Sequence, residues 1–181
     1  MIETDRLILR QWRDSDLAPF AEMNRDPKVM TYFPSLLSAR ESNELAERFQ
    51  RLIVDKGWGF WALEQKNTGL FLGFVGLHFQ EEGSGIPNAP LVEIGWRLCS
   101  SSWGNGFAPE AAKAALAFAF DTLNLSEVYA FTALQNLPSK RVMEKIGMHN
   151  THQDFNHPKL PKGHPLERHC LYRIQSEALI K

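Results

Sequence analysis

The turn over residues 103–108 constrains the fold more than any other segment of this sequence. It follows an apolar run over 91–99 and precedes an alanine-rich run over 109–123, which predicts the order strand, small-residue turn, helix. This order places a row of unpaired backbone N–H groups at a helix N-terminus, where the N–H groups and the helix dipole both attract an anion. The pattern therefore predicts a phosphate site, with a plain glycine-rich connection as the alternative.

Two familiar phosphate-binding motifs do not describe this turn. A Walker-type loop needs Gly-Lys-Ser or Gly-Lys-Thr, which is missing here. A dinucleotide-binding fingerprint would place its third glycine at Pro109, and the turn lies in mid-chain rather than in an opening βαβ unit. Gly104 and Gly106 permit positive φ angles and let a ligand approach the backbone, while Ala108 keeps the next position small. The sequence therefore predicts a phosphate site of another kind.

Composition favours a single globular domain over residues 1–181. The chain is 44% hydrophobic and 23% charged, and its length is sufficient to bury a substantial core. A formal net charge of −1 gives no electrostatic case for a nucleic-acid partner. No apolar run approaches the roughly 20 residues that span a bilayer, and the N-terminus lacks the pattern of a secretory signal. Cys99 and Cys170 form no C-x-x-C pair, so we expect a reducing, cytoplasmic location and no membrane partner.

Apolar periodicity predicts a mixed α/β domain in which strands and helices are interspersed along the chain. The first helix is expected over 15–24 with Asp14 as its cap, and the second begins with a capping box of Ser38 and Glu41 and ends at Gly57. The other predicted helices cover residues 107–123 and 136–146. The predicted strands cover residues 6–10, 60–65, 70–80, 91–99, 127–134, 148–155 and 168–175.

A second group of polar residues lies where a strand ends and the helix over 136–146 begins. Asn136 is suited to cap that helix, and Ser139 lies one turn further along the same rim. A hydroxyl at this position can face a cleft or simply face solvent. Neither residue identifies a site in isolation.

Together these segments resemble the GNAT superfamily of acetyl-CoA-dependent N-acetyltransferases, and within it the RimJ/RimL-like branch of ribosomal-protein N-terminal acetyltransferases. The family's pyrophosphate motif, Gln/Arg-x-x-Gly-x-Gly/Ala, matches Trp103-x-x-Gly106-x-Ala108, with Trp103 as the departure. The change at the first position matters little if backbone N–H groups bind the phosphates. The resemblance covers nearly the whole chain. Besides the turn, the segments that carry it are residues 3–10, 14–17, 26–30, 136–139 and 144–148.

The resemblance implies a central twisted mixed sheet flanked by helices and splayed open between the fourth and fifth predicted strands, 91–99 and 127–134. Acetyl-CoA would lie in that split, because an unpaired strand edge offers N–H and C=O groups to an extended ligand that carries amides. No metal is implied. The implied cofactor-binding residues are Trp96, Arg97, Leu98, Trp103, Gly104, Asn105, Gly106, Phe107, Ala108, Asn136 and Ser139.

The same resemblance suggests catalytic roles. The N–H group of Leu98, on a strand bulge, is the implied oxyanion donor. Ser139 is the candidate to protonate the departing thiolate, since Met143 lies where many relatives have a tyrosine. Glu93 interrupts an apolar strand and is the candidate general base, because a dry cleft raises the pKa of a carboxyl group. The alternatives are that Glu93 is an exposed strand residue, and that ordered water removes the proton.

The acceptor site is expected to have aromatic walls, because the family's first two helices and following hairpin enclose it. Tyr32, Phe33 and Trp58 are the candidates, with core packing as the alternative. The histidines after residue 148 match no common zinc spacing. The sequence thus predicts direct acetyl transfer to a primary amine, either a peptide N-terminus or a small molecule, by a monomer or homodimer. A non-catalytic acyl-CoA sensor is the alternative that Met143 keeps open.

Overall fold

The computed structural model describes residues 1–179. The helices are α1 (Leu17–Arg25), α2 (Ala39–Lys56), α3 (Phe107–Ala117) and α4 (Leu137–Lys145). The strands are β1 (Ile2–Glu3), β2 (Leu7–Arg10), β3 (Phe60–Gln65), β4 (Phe71–Gln80), β5 (Leu91–Leu98), β6 (Glu127–Ala133), β7 (His149–Asn150), β8 (Phe155–Asn156) and β9 (Arg168–Gln175). They form one open sheet in the order β1-β2-β3-β4-β5-β6-β9-β7, with β8 paired to β9. None of the described helices is long and apolar enough to cross a bilayer.

Helix α2 has the ends that its sequence predicts. The Ser38 hydroxyl accepts a hydrogen bond from the Glu41 N–H group at 3.2 Å, and the Glu41 carboxylate accepts one from the Ser38 N–H group at 2.7 Å. Gly57 follows the last turn with a φ of 79°, a conformation that glycine adopts without strain. The helix is therefore closed by local chemistry at both ends.

Two other helices differ from prediction in their end turns. A 3-10 turn over Asp14–Asp16 precedes α1, because the Asp16 carboxylate accepts from the Arg13 N–H group and is held by the buried Arg10 at 2.8 Å. Asp14 is therefore not the cap of α1. The α-helical part of α3 ends at Ala117, and a π-helical turn over Phe118–Thr122 completes the predicted length.

The strand predicted over 148–155 is instead two short strands, β7 and β8, that both pair with β9. His152, between them, has a φ of 58° and breaks the extended backbone. The side chain of Asn150 stabilises this break by accepting from the His152 N–H group at 2.8 Å.

Helices cover both faces of the sheet. On one face α1 and α2 pack an aromatic cluster that includes Trp12, Phe20 and Phe49, with the Trp12 and Phe20 rings 4.8 Å apart. On the other face, α3 and α4 close the larger core, in which Ala111 and Ala115 are fully buried. The side chains of β3 and β4 alternate between the two cores: Ala62 and Phe74 lie in the aromatic cluster, whereas Trp61 and Leu63 lie in the larger core.

The sheet is splayed between β5 and β6, which confirms the predicted split. These two strands are parallel and pair only at Glu93 and Tyr129, so their further parts diverge. The split lies between the fifth and sixth strands of the described chain because β1 adds a strand before the predicted first one.

Candidate active site

The backbone of β5 presents alternate residues to the split. The Cys99 N–H group donates to the Leu72 carbonyl at 2.8 Å, and this pair continues the regular register of β5 with β4. Because hydrogen-bonded and non-hydrogen-bonded pairs alternate along an antiparallel ladder, Arg97 directs its backbone to β4, whereas Trp96 and Leu98 direct theirs into the split. The Leu98 carbonyl accepts a hydrogen bond from Trp103 Nε1 at 3.0 Å, which is consistent with a carbonyl that points away from β4.

Two expectations about this strand are corrected. The backbone of Arg97 is occupied by the ladder with β4, so only its side chain is available to a ligand. The bulge expected at Leu98 is absent, since the pairing with β4 runs without interruption from Leu91 to Leu98. Ordinary strand alternation turns the Leu98 N–H group toward the split without a bulge.

The turn before α3 offers a row of unpaired N–H groups. Gly104 and Gly106 have φ angles of 78° and 75°, and α3 starts at Phe107. Within residues 1–179, no protein acceptor takes the N–H groups of residues 104–108, and Pro109 has no N–H group to add. Five successive N–H groups at the N-terminus of α3 therefore have no hydrogen-bond acceptor within the described chain.

Arg6 supports this turn from outside. Its Nη1 donates to the Asn105 carbonyl at 3.0 Å, and its Nη2 lies 2.6 Å from a carboxylate oxygen of Glu110 in the first turn of α3. The amide of Asn105 donates back to two carbonyls of the same turn, at 3.0 and 3.1 Å. The side chain of Asn105 thus shapes the turn, and only its backbone N–H group is available to a ligand.

The start of α4 forms another wall. The Asn136 amide oxygen accepts from the Ser139 N–H group at 3.2 Å, and its nitrogen donates to the Thr132 hydroxyl at 2.9 Å. Asn136 is therefore the predicted cap of α4. The cap uses the backbone of Ser139 and not its hydroxyl, and Ser139 lines the cavity beside the buried Met143.

One cavity of about 1500 Å³ joins the turn, the split and the connection between α1 and α2. Trp58 does not line this cavity. Its ring packs against the larger core, and Lys56 Nζ lies 5.7 Å from the ring centroid. The expectation that Trp58 forms an acceptor wall is therefore not met. The predicted site residues that line the cavity are Tyr32, Phe33, Glu93, Trp96, Arg97, Leu98, Trp103, Gly104, Gly106, Phe107, Ala108, Asn136 and Ser139.

Glu93 is the carboxylate that this cavity encloses most closely. Its side chain is 14% exposed and accepts from the Gln80 amide at 3.3 Å. Burial raises the pKa of Glu93 to about 7, although the Gln80 hydrogen bond and the charge of Lys159 act in the opposite direction. A carboxyl group with this pKa can exchange a proton near neutral pH, as a general base must.

The family model for the acetyltransferase (GNAT) domain matches residues 6–149. The chain belongs to the GNAT family. It is 39% identical over 160 residues to the uncharacterized protein YkkB of Bacillus subtilis (strain 168), an alignment that covers 86% of this chain and 90% of that protein. The fold and the family identify a GNAT acetyltransferase, which uses acetyl-CoA as the acyl donor.

Solved GNAT structures have the same fold. An acetyltransferase (GNAT family) from Bacillus anthracis superimposes with a TM-score of 0.80 at 26% identity and covers 97% of this chain and 98% of its own. A spermidine N-acetyltransferase from Vibrio cholerae, in complex with CoA and spermine, has a TM-score of 0.75 at 20% identity, with 98% and 100% of the chains covered. The second likeness shows the fold alone. The matches do not single out the RimJ/RimL-like branch.

Several residues of the GNAT cavity are not among the site residues predicted from the sequence. His78 and Gln80 lie on β4 beside Glu93, and only the register of β4 with β5, which the sequence does not specify, brings them to the site. His157 and His169 line the cavity with ring centroids 4.8 Å apart, and burial lowers the pKa of both, that of His157 to about 4. Within the described residues, no three His, Cys, Asp or Glu side chains are placed to hold a metal ion.

Proposed function

We propose that this GNAT enzyme transfers the acetyl group of acetyl-CoA directly to a primary amine in a ternary complex. Acetyl-CoA supplies the acyl group in an activated thioester. The observation that carries the proposal is the position of Glu93: a carboxyl group with a pKa of about 7 opens onto the same cavity as the unpaired N–H groups of residues 104–108.

The backbone supports the cofactor part of the proposal. The N–H groups of residues 104–108 hold the diphosphate, since they have no acceptor within the described chain and the α3 dipole adds to their attraction. The backbone groups of Trp96 and Leu98 pair with the amides of the pantetheine arm inside the split. The side chains of Trp103 and Asn136 position the neighbouring backbone through their hydrogen bonds.

The side chains around the split support the chemical part. Glu93 accepts the proton of the acceptor amine, directly or through a water molecule. The N–H group of Leu98 stabilises the negative charge that develops on the acyl oxygen. Ser139 donates a hydrogen bond to the departing sulfur. Tyr32 and Phe33 form the aromatic wall against which the acceptor packs.

The acceptor is a protein N-terminus or a small amine. The resemblance to the RimJ/RimL-like branch favours an N-terminus, whereas the related Vibrio cholerae spermidine enzyme shows that the same fold serves small amines. A non-catalytic acyl-CoA sensor is less consistent with the site, because a module that only binds has no use for a carboxyl group with a pKa of about 7 beside the split. We propose a monomer or homodimer that acts without a metal.

Release of CoA thiol from acetyl-CoA tests the proposal. The purified chain is assayed with a panel of amino acids, simple amines, polyamines and peptides with free N-termini, and N-acetylated peptides serve as blocked controls. We expect turnover with at least one free amine and none with the blocked peptides. CoA binding without turnover of any free amine would support the sensor and contradict the enzyme.

A further inference from the structure

Arg97 carries an uncompensated charge at the end of the cavity that Tyr32 and Phe33 line, here called the acceptor end. Its guanidinium lies 4.1 Å from the ring centroid of Phe33 and 5.4 Å from that of Phe74. Its Nη1 donates to the Asn24 amide oxygen at 2.8 Å, but its Nε is buried with no hydrogen-bond partner in the described chain. None of the ion pairs within residues 1–179 includes Arg97.

This arrangement is costly for the protein alone. Burial lowers the pKa of Arg97 to about 10, so the side chain still carries its charge at neutral pH. A buried charge is normally paired with an opposite charge, because desolvation is not otherwise offset. The two aromatic rings and one neutral amide of this site satisfy Arg97 only in part.

Neutral groups hold Arg97 in place. Asn24 is fully buried, and its amide nitrogen donates to the hydroxyl of Ser42 at 2.9 Å. The chain Ser42, Asn24, Arg97 fixes the guanidinium without neutralising it. A carboxylate at position 24 would both fix and neutralise the guanidinium. Because Asn24 is neutral, the positive charge of Arg97 remains available to a ligand.

The other charges around the acceptor end are also mainly positive. Glu41 is engaged in the cap of α2, and Glu44 is paired with Arg40 at 2.8 Å. Glu93, with its pKa of about 7, is only partly ionised at neutral pH. The Lys and Arg residues that line the cavity and are not found in ion pairs within the described chain are Lys28, Arg48, Arg97, Lys145 and Lys159. This lining repels a polyamine and attracts an anion.

We infer that the acceptor is a small molecule in which the reactive amine is accompanied by a carboxylate, and that Arg97 binds this carboxylate. The inference rests on the proposed function and assigns its substrate class. The carboxylate supplies both the missing acceptor and the missing counter-charge of the guanidinium. Arg97 directly precedes Leu98, whose N–H group faces the split, so the residue that would bind the carboxylate and the proposed oxyanion donor are neighbours on β5.

Matched acceptor pairs test this inference. Each of the common amino acids is compared with its own carboxamide, which keeps the amine and side chain but lacks the negative charge, and spermidine and peptides with acidic first residues complete the panel. We expect the preferred amino acid to exceed its carboxamide in kcat/KM by at least about tenfold, as the loss of a charged contact predicts. Spermidine should be a poorer acceptor than that amino acid.

Two variants assign the preference to Arg97. Arg97→Gln should reduce the ratio of kcat/KM for acid over carboxamide to about one, mainly through KM for the acid. Asn24→Asp places a carboxylate of nearly the same size 2.8 Å from the guanidinium, and should reduce the ratio while Arg97 is still present. Arg51→Gln is the matched control: Arg51 lines the same cavity but is 69% exposed and lies 3.8 Å from Glu47, so the ratio should not change.

The outcomes separate this inference from the proposed function. Equal or better turnover of carboxamides, or a preference for spermidine, would overturn the carboxylate inference and leave the acetyltransferase intact. A preference restricted to peptides with acidic first residues would overturn the small-molecule class. An unchanged ratio in a folded Arg97→Gln or Asn24→Asp protein, with unchanged thermal unfolding, would overturn the assignment to Arg97. No turnover of any amine would contradict the proposed function itself.

Discussion

A carboxylate oxygen of Glu93 lies 3.6 Å from Nδ1 of His78, the residue directly opposite it on β4. Burial disfavours the charged form of both groups, since it raises the pKa of Glu93 to about 7 and lowers the pKa of His78. His78 is held by a parallel stack on Phe60, with ring centroids 5.8 Å apart. The pair therefore places a proton-exchanging group beside the acceptor end of the split.

Glu93→Gln is expected to lower kcat/KM by about a hundredfold or more, as loss of a general base predicts. The base acts in its deprotonated form, so the wild-type rate should rise as pH increases through about 7. The variant should lose this rise and keep only the pH dependence that comes from deprotonation of the acceptor amine. A pH profile of kcat/KM measures both effects, and a variant with the wild-type rate and profile would remove Glu93 from the chemistry.

The same substitution is expected to change stability in a pH-dependent way. The pKa of Glu93 is higher in the folded state than its ordinary value of 4.5, so the folded protein binds the proton more tightly and loses stability as pH rises from that value through about 7. Glu93→Gln should therefore gain stability relative to the wild type between about pH 5 and pH 8, measured by urea unfolding. His78 has the opposite dependence, because burial lowers its pKa, and the difference between the two proteins removes the part of this contribution that does not depend on Glu93. A difference in stability that does not vary with pH would contradict the raised pKa.

Gly106→Ala is expected to weaken CoA binding by about tenfold, comparable to the ~1–2 kcal/mol that a left-handed backbone costs an L-residue. Gly106 has a φ of 75°, and an added Cβ would meet only Arg6 Nη2 at 3.6 Å. Relief of the strain would rotate the donors of residues 106 and 107. Calorimetric titration with CoA measures the loss.

Gly57→Ala is the matched control for that experiment. Gly57 has a φ of 79° at the end of α2, and an added Cβ would meet no atom within 4 Å. Both variants should lose similar stability, but only Gly106→Ala should lose CoA affinity. Equal CoA affinity in the two variants would contradict the role of the turn.

Ser139→Ala is expected to reduce turnover by more than about tenfold and to leave CoA affinity nearly unchanged. The cap of α4 survives, because Asn136 accepts from the backbone of residue 139 and not from its hydroxyl. Ser139→Thr keeps a hydroxyl and should retain more activity than the alanine variant. Wild-type turnover in Ser139→Ala would exclude the proposed hydrogen bond from Ser139 to the departing sulfur.

Local sequence patterns predicted the parts of the site whose structure depends on residues close together in the sequence. Strand alternation placed Glu93 on the face opposite Val92 and Ile94, and both of those residues are buried in the larger core. The glycine turn before α3 and the cap at Asn136 follow from spacing alone.

Long-range packing decided the rest. His78 comes opposite Glu93 only because β4 and β5 pair in one register across the connection over 81–90, which no periodicity specifies. Trp58 could not be told from a wall residue by type, and its contact with the larger core depends on how α2 meets β3. The direction of backbone groups in β5 likewise depends on its partner strand.

The central claim is that the backbone N–H groups of residues 104–108 bind the diphosphate of acetyl-CoA. The most direct measurement is a titration of the 15N-labelled chain with CoA, followed by amide NMR, with Gly57 and Gly69 as glycines that lie outside the cavity lining. We predict saturable shifts at residues 104–108, at Trp96 and at Leu98, with the two outlying glycines unchanged. A folded protein that takes up no CoA, or that binds it without shifts at residues 104–108, would contradict the account.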